Sequence, residues 1–207
     1  MPKTNDREYR AMAHPLFAST HEKRFDTDYY VEGFATTFGM PYVVYEWDGV
    51  QYYEVVDRNA LDGADMSDVI MQYDHAGTVF ARNRMPAGKK PCLMIEPQTS
   101  GLFIAADLGV IDEARKLYAS IDAGLISKMS WAFRVAEDSY NKETRTRTIV
   151  RIKKVYDVSA VSHPANNDTD ITARSYFDGV IEVEKRESLA QRERQLQLLK
   201  LALEVKA

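Results

Sequence analysis

The sequence has 207 residues, of which 45% are hydrophobic and 11% aromatic, which is enough for a folded core and excludes global disorder. Its formal net charge of −4 gives no basis for nucleic-acid or membrane binding, and no apolar run approaches the ~18 residues that a membrane span needs. The single cysteine, Cys92, excludes an intrachain disulfide framework. Together with a polar N-terminus that lacks the apolar stretch of a secretory signal, it predicts a cytosolic protein.

The N-terminal half of the chain is predicted to hold a flexible arm and then a series of short strands. Residues 1–28 are polar and irregular, which is typical of an arm outside the core. Asp48-Gly49 is a strong signal for a tight hairpin turn, and residues 58–68 are predicted to form an irregular link. Bulky residues in alternating or continuous runs predict strands at 29–35, 43–45, 51–56, 69–73, 92–97 and 101–107.

One helix is predicted in the middle of the chain. It begins at Asp112, a suitable N-cap, and Gly124 is a suitable terminator. Apolar residues between and just beyond these positions follow the three-four spacing of one buried helix face: Ala114, Leu117, Tyr118, Ile121 and Leu125.

After this helix the chain is predicted to return to strands and to end in a second helix. Residues 129–135 alternate between bulky and small or polar side chains, and 144–154 and 155–161 predict two more strands. Basic residues in 144–154 favour a solvated edge strand: Arg145, Arg147, Arg151, Lys153 and Lys154. Residues 182–207 lack Gly and Pro and place leucines on one helix side: Leu189, Leu196, Leu199 and Leu203.

The order of these elements predicts the fold class. Many short strands with few helices between them indicate a mixed α/β, β-rich fold, not a doubly wound parallel sheet. We expect a partly closed antiparallel β-barrel flanked by helices, with a C-terminal amphipathic helix. The predicted organisation is a flexible arm over 1–28, a folded domain over 29–181 and the helix over 182–207.

Ser130 is the first candidate for chemistry. On the alternating strand it lies opposite the core-facing bulky residues, beside the small Ala132, so approach to its hydroxyl need not be crowded. A serine hydroxyl becomes a useful nucleophile when an adjacent base takes its proton. The alternative is an ordinary solvent-facing strand serine.

His75 is the candidate base. It follows a buried strand and precedes Ala76-Gly77, so its backbone is held at one end and can bend sharply at the other. Histidine suits general-base work because it accepts and returns a proton near neutral pH. The alternative is a structural histidine at a strand end.

A third residue should orient the imidazole and stabilise its charged form. Asp157 is the strongest candidate, because a carboxylate within a mostly apolar strand is costly unless it is paired. His163 is the runner-up, since a second imidazole could accept the same hydrogen bond. It could equally be a loop residue before Pro164.

Other familiar catalytic signatures are missing from the sequence. No Gly-x-Ser-x-Gly elbow is present, which disfavours an α/β-hydrolase. Neither His-Glu-x-x-His nor Cys-x-x-Cys occurs, so the sequence predicts no metal site, and no phosphate-binding glycine loop predicts a nucleotide cofactor. Cys92 lies in an apolar stretch and is predicted to be a small core residue instead of a nucleophile.

Four motifs, in their order and spacing, resemble the prohead protease family of tailed phages. Residues 31–39 resemble the opening strand of that family, and 72–75 (Gln-Tyr-Asp-His) its histidine motif. Residues 124–135 resemble its nucleophile strand, and 157–166 its acidic strand with Pro-Ala-Asn. Together the motifs lie within residues 29–174.

The resemblance implies a fold shared with the herpesvirus maturational protease, a partly closed β-barrel edged by helices. It implies a catalytic set in the chain order His75, Ser130, Asp157. In the protease hypothesis, backbone amides after Ser130, helped by a basic side chain such as Arg134, would stabilise the oxyanion. The alternative for Arg134 is an exposed strand arginine. The chain departs from the family pattern twice. Glutamate is common in the family where Asp157 stands, and glycine where Ala132 stands.

The resemblance also implies partners and a location. The substrates would be internal scaffold protein and the scaffolding segment of the major capsid protein, with self-cleavage, inside the assembling prohead in the host cytoplasm. A homo-oligomer such as a dimer is expected. The 182–207 helix would then be a dimer element, a scaffold-docking segment or a self-cleaved region.

Two non-enzymatic hypotheses remain open at this point. The first is a capsid scaffold or assembly protein that keeps the fold without the activity, and the amphipathic tail supports it. The second is an unrelated β-barrel binding module. Both Ser130 and His75 are present, which favours the enzyme.

Overall fold

The computed structural model describes residues 7–18, 23–162 and 171–204. These ranges hold ten strands and two helices. In chain order the elements are β1 (Glu8–Ala18), β2 (Tyr30–Thr37), β3 (Tyr42–Trp47), β4 (Val50–Val56), β5 (Ile70–Tyr73), β6 (Ala76–Arg82), β7 (Leu93–Pro97), β8 (Gly101–Asp107), α1 (Asp112–Asp122), β9 (Lys128–Asn141), β10 (Thr146–Val161) and α2 (Ile171–Glu204).

The strands form one sheet system, in the order β3-β4-β10-β9-β1-β2-β8-β7, with β5 and β6 branching from β10. A mixed, β-rich fold with a C-terminal helix is therefore confirmed. Among the described residues β3 and β7 do not pair with each other, so the predicted barrel is not confirmed. Most neighbours are antiparallel, but β4 and β5 both run parallel to β10, so the sheet is mixed and not antiparallel throughout.

β10 is the central strand of the sheet, although the sequence predicts an edge strand for its basic first half. It pairs with β9 on one side. On the other side it pairs with β4 over Thr146 to Ile149 and with β5 over Asp157 to Ala160. Between these two segments β10 contacts the irregular link of residues 58–68, since the Ile152 amide donates to the Ala60 carbonyl. The edge-strand prediction is wrong because Arg147 is buried with carboxylate partners, which its sequence neighbours do not reveal.

Part of the predicted N-terminal arm, residues 1–28, is a strand of the sheet. Glu8–Ala18 form a strand between β9 and β2. Two of the polar residues that predict an arm, Glu8 and Arg10, are almost fully buried and form ion pairs. The division of the chain at residues 28 and 181 remains a prediction.

Periodicity predicts the buried positions well. In α1 the residues Ala114, Leu117 and Ile121 are buried, and Gly124 has the left-handed φ of 73° that is typical just after a helix end. The predicted face does not reach Leu125, which is exposed. Cys92 is buried in the main core, as predicted.

α2 begins at Ile171, earlier than the predicted helix start at residue 182. Its first turns pack Tyr176 and Phe177 against Tyr45 and Tyr52, which forms a second hydrophobic cluster. Beyond residue 182 the helix lies outside both clusters, and Leu189 and its neighbouring leucines are exposed. Neither helix in the described ranges is long and apolar enough to cross a membrane.

A buried ion cluster (Glu8, Arg10, Glu54 and Arg147) joins β1, β4 and β10. Arg10 Nε lies 2.6 Å from Glu54 Oε1, and Arg147 Nη1 lies 2.7 Å from Glu8 Oε2. Burial alone would raise the pKa of Glu8, but Arg10 and Arg147 outweigh it and lower that pKa from 4.5 to about 2. The stabilisation from Glu8 is therefore present above pH 4.5 and is lost as the pH falls towards 2.

Arg147→Met leaves Glu8 and Glu54 with one buried cation between them, so we expect a loss of about 3–5 kcal/mol in the free energy of unfolding. Urea denaturation measures it. The matched control is Arg151→Met on the same strand, which breaks an exposed ion pair with Glu137 and should cost below about 1 kcal/mol. Equal losses in the two variants would contradict the assigned role of the cluster.

Candidate active site

Ser130 is the third residue of β9, and it is only 3% exposed. This burial excludes the alternative of a solvent-facing strand serine. Its strand neighbours are Ala11 on β1 and Ser159 on β10. A buried hydroxyl needs a hydrogen-bond partner, and that of Ser130 donates to His75 Nε2 over 2.6 Å.

His75 occupies a tight turn. Asp74 and His75 are the two residues that connect β5 to β6, whose last pair is Tyr73 opposite Ala76. Both have positive φ, 48° and 58°. This is the left-handed region of a two-residue hairpin turn, where Asn-Gly or Asp-Gly is preferred. A histidine held there costs about 1–3 kcal/mol, a strain that is typical of functional sites.

Asp157 completes the line of hydrogen bonds. With the proton on Nδ1, His75 donates to Asp157 Oδ1 over 2.5 Å. The carboxylate is almost fully buried, whereas the imidazole is 15% exposed. The structure therefore brings together Ser130, His75 and Asp157, which the sequence analysis singles out and which lie far apart along the chain.

A β-bulge places Asp157 on the same sheet face as Ser130. Val155 pairs with Phe133, but Asp157 pairs with Ala132, so Tyr156 is an extra residue in β10. A shift of one residue moves every following side chain to the opposite face. Without the bulge Asp157 would lie opposite Trp131, whose side chain belongs to the core.

Three further residues at this site have no role that the sequence predicts. Ser159 Oγ donates to Asp157 Oδ1 over 2.9 Å, so that oxygen accepts two hydrogen bonds. The Tyr9 ring packs edge-on against the His75 ring, with centroids 4.8 Å apart. Asp74 binds the end of β10 through Ser162. The strand period gives a signal for Ser159, since alternate strand residues share a face with Asp157, but no local pattern links Tyr9 to His75.

Of the two remaining candidates, only Arg134 lies in the part of the chain that the structure describes, and it is not part of this line. Arg134 lies on β9, roughly 13 Å along the strand from Ser130 by the rise of an extended chain, and its oxyanion role stays a prediction. His163 lies outside the described residues. Among residues 7–18, 23–162 and 171–204, no group of three or more His, Cys, Asp or Glu side chains could hold a metal ion.

The arrangement has the polarity that proton transfer from serine requires. A carboxylate oxygen faces Nδ1–H, and the free lone pair of Nε2 faces the hydroxyl hydrogen. An imidazole in this position can take the proton as Oγ attacks an electrophile, and the carboxylate then stabilises the imidazolium.

A comparison with protein-family models finds one family over most of the chain. Residues 18–180 match the caudovirus prohead serine protease family, a range that contains all three residues of the hydrogen-bonded line. No curated protein matches the chain, and no solved structure matches it, so the expected likeness to the herpesvirus protease fold stays a prediction. Because the match covers well over half of the chain, this protein belongs to the caudovirus prohead serine protease family, the serine proteases of phage capsid maturation.

Proposed function

We propose that this chain is a serine endopeptidase with Ser130 as nucleophile, His75 as general base and acid, and Asp157 as the residue that orients and stabilises the imidazole. The observation that supports this proposal is the unbroken line from Asp157 Oδ1 through both His75 nitrogens to Ser130 Oγ, with separations of 2.5 and 2.6 Å. The 2.6 Å between Ser130 Oγ and His75 Nε2 lies within the reach of a general base for the proton that it removes.

The proposed reaction has two halves. In the first, Ser130 Oγ attacks the scissile carbonyl carbon while His75 Nε2 takes the hydroxyl proton. The tetrahedral intermediate collapses, Nε2 gives the proton to the leaving amine, and the C–N bond breaks. In the second, Nε2 takes a proton from water as the water attacks the acyl-enzyme. Release of the carboxylic acid product returns the proton to Oγ.

We propose that the substrates are the scaffolding segment of the major capsid protein, the internal scaffold protein and the protease itself, cut inside the closed prohead. The family supplies the coarse part of this proposal, since its members are prohead proteases. The exposed leucines of α2 beyond residue 182 make that segment a candidate for dimer contact, scaffold docking or self-cleavage.

The test is co-expression with the phage's own major capsid protein. The wild type is expected to shorten the capsid protein at an internal peptide bond, seen as a new terminus by mass spectrometry, and Ser130→Ala is expected to leave it at full length. A capsid protein of full length in both cultures, with both protease forms folded, would favour the alternative of a non-catalytic assembly protein. Trimming of single residues from one end would contradict the endopeptidase proposal.

A further inference from the structure

We propose that Asp74 is a positioning residue for the protease reaction: its carboxylate ties the turn that carries His75 to the strand that carries Asp157. The inference rests on the proposed function, because it needs His75 to be the base. Among the residues that the structure describes, the hydrogen bonds of Asp74 go to Ala160 and Ser162 and not to Ser130, so its effect is exerted through the backbone of its neighbour.

The turn that carries His75 needs contacts that hold its backbone conformation. The β3–β4 turn has the preferred pair Asp48-Gly49, both with positive φ, so a glycine occupies the second position there. In the β5–β6 turn His75 occupies that position, with less conformational freedom than glycine. A turn of this kind keeps its conformation only where surrounding contacts hold it.

Among the described strands, pairing holds the β5–β6 hairpin on one side only, through β5 and β10. In the described part of the chain β6 pairs with β5 alone. Its first residues, Ala76 to Val79, are exposed. The hairpin tip is therefore open on one side, and the position of the imidazole depends on what binds the tip on the other side.

Asp74 makes three hydrogen bonds to the end of β10 and to Ser162, the residue that follows it. Its amide donates to the Ala160 carbonyl over 3.0 Å. Its carboxylate oxygens accept from the Ser162 amide over 3.1 Å and from the Ser162 hydroxyl over 3.0 Å. The same strand bears Asp157, so β10 binds both the ring of His75 and the backbone that carries it. The Asp74 carboxylate thus determines where Nε2 lies relative to Ser130.

Substitutions at Asp74 and Ser162 separate this role from a general structural one. Asp74→Asn keeps an acceptor for the Ser162 amide and offers an N–H to the Ser162 oxygen, so both side-chain contacts with Ser162 are retained. Asp74→Ala removes both side-chain contacts. Ser162→Ala removes only the hydroxyl contact and leaves the turn sequence unchanged. Asp48→Ala is the matched control, since Asp48 is also an aspartate with positive φ in a two-residue turn.

The experiment measures kcat and KM for cleavage of the capsid protein, the rate of labelling of Ser130 by a fluorophosphonate, and the low-field NMR signal of the His75 Nδ1 proton. For Asp74→Ala we expect kcat and the labelling rate to fall on the order of 10- to 100-fold, because small displacements of catalytic groups have effects of that size. KM should change less than about twofold, since no substrate contact is removed. The Nδ1 proton signal should broaden or shift. Asp74→Asn and Asp48→Ala should stay within about threefold of the wild type in rate and keep that signal.

The double variant Asp74→Ala/Ser162→Ala should be no slower than Asp74→Ala, because the two side chains act through one contact. If Asp74→Ala does not fold, Ser162→Ala carries the test with an expected loss of at least about threefold in labelling rate. Wild-type rates in Asp74→Ala, or in Ser162→Ala where it carries the test, while His75→Ala is inactive, would overturn this inference alone. Full activity in Ser130→Ala and His75→Ala would instead overturn the proposed function.

Discussion

Ser130→Ala is expected to lower kcat for peptide-bond cleavage on the order of 10⁴- to 10⁶-fold, which is the loss seen when the nucleophile of a serine triad is removed. The physical reason is that, within the described residues, the hydroxyl that His75 contacts is that of Ser130. Its Nε2 faces Ser130 Oγ at 2.6 Å, and the neighbouring Ser159 hydroxyl is already donated to Asp157. KM should change little, because the substituted atom is small. Steady-state kinetics on the capsid protein give both parameters.

The matched control for this variant is Ser139→Ala. Ser139 lies on the same strand, is exposed and stands about 30 Å further along β9 by the rise of an extended chain. It should cleave at the wild-type rate. The fold of Ser130→Ala should be kept, with an unfolding midpoint close to that of the wild type. Retention of more than about one per cent of wild-type kcat in a folded Ser130→Ala protein would show that another residue is the nucleophile.

Asp157→Asn is expected to lower kcat by roughly 10⁴-fold. The neutral amide cannot stabilise the imidazolium that forms when His75 takes the proton. An N–H₂ group facing Nδ1 also favours the tautomer with its proton on Nε2, which cannot accept from Ser130. The loss should appear in kcat, with KM nearly unchanged, because Asp157 is buried and does not reach the substrate.

Two further variants are compared with Asp157→Asn, one with a smaller expected loss and one with none. Ser159→Ala removes one of the two hydrogen bonds to Asp157 Oδ1 and leaves its charge, so its loss should be smaller than that of Asp157→Asn. Asp62→Asn, at an exposed position in the irregular link, should behave as the wild type. The account is contradicted if Asp157→Asn retains activity close to that of Ser159→Ala, since the charge would then have no role.

The sequence predicts the elements that follow a clear hydrophobic period. The α1 face with Ala114 and Leu117 is buried as the three-four spacing predicts, and the alternating strand around Ser130 is where it is expected. Each of these patterns depends on residues close together in the chain. The candidates Ser130, His75 and Asp157 come from the same kind of local pattern, and the family resemblance supplies their roles.

Features that depend on distant residues could not be predicted in this way. Glu8 and Arg10 suggest a polar arm until Glu54 and Arg147 supply the opposite charges that allow burial. The central position of β10 is hidden for the same reason, because one of its basic residues is buried in that cluster.

The bulge at Tyr156 is a second feature that the sequence does not predict. Strict alternation along β10 does not show that an extra residue turns Asp157 to the face of Ser130. The contact of Tyr9 with His75 likewise depends on β1 lying beside β9. The geometry of the site therefore follows from strand register, and register is set by the whole sheet.

Mapping of a fluorophosphonate adduct tests the central claim most directly, because only a hydroxyl with a base beside it reacts readily with this reagent. Trypsin cuts after Lys128 and Arg134 and releases residues 129–134, in which Ser130 is the one side chain with a hydroxyl. We predict that mass spectrometry finds the adduct on this peptide in the wild type, and that the adduct is lost in His75→Ala at the same exposure. An adduct on another peptide, or equal labelling of Ser130 in folded wild type and His75→Ala, would contradict activation of Ser130 by His75.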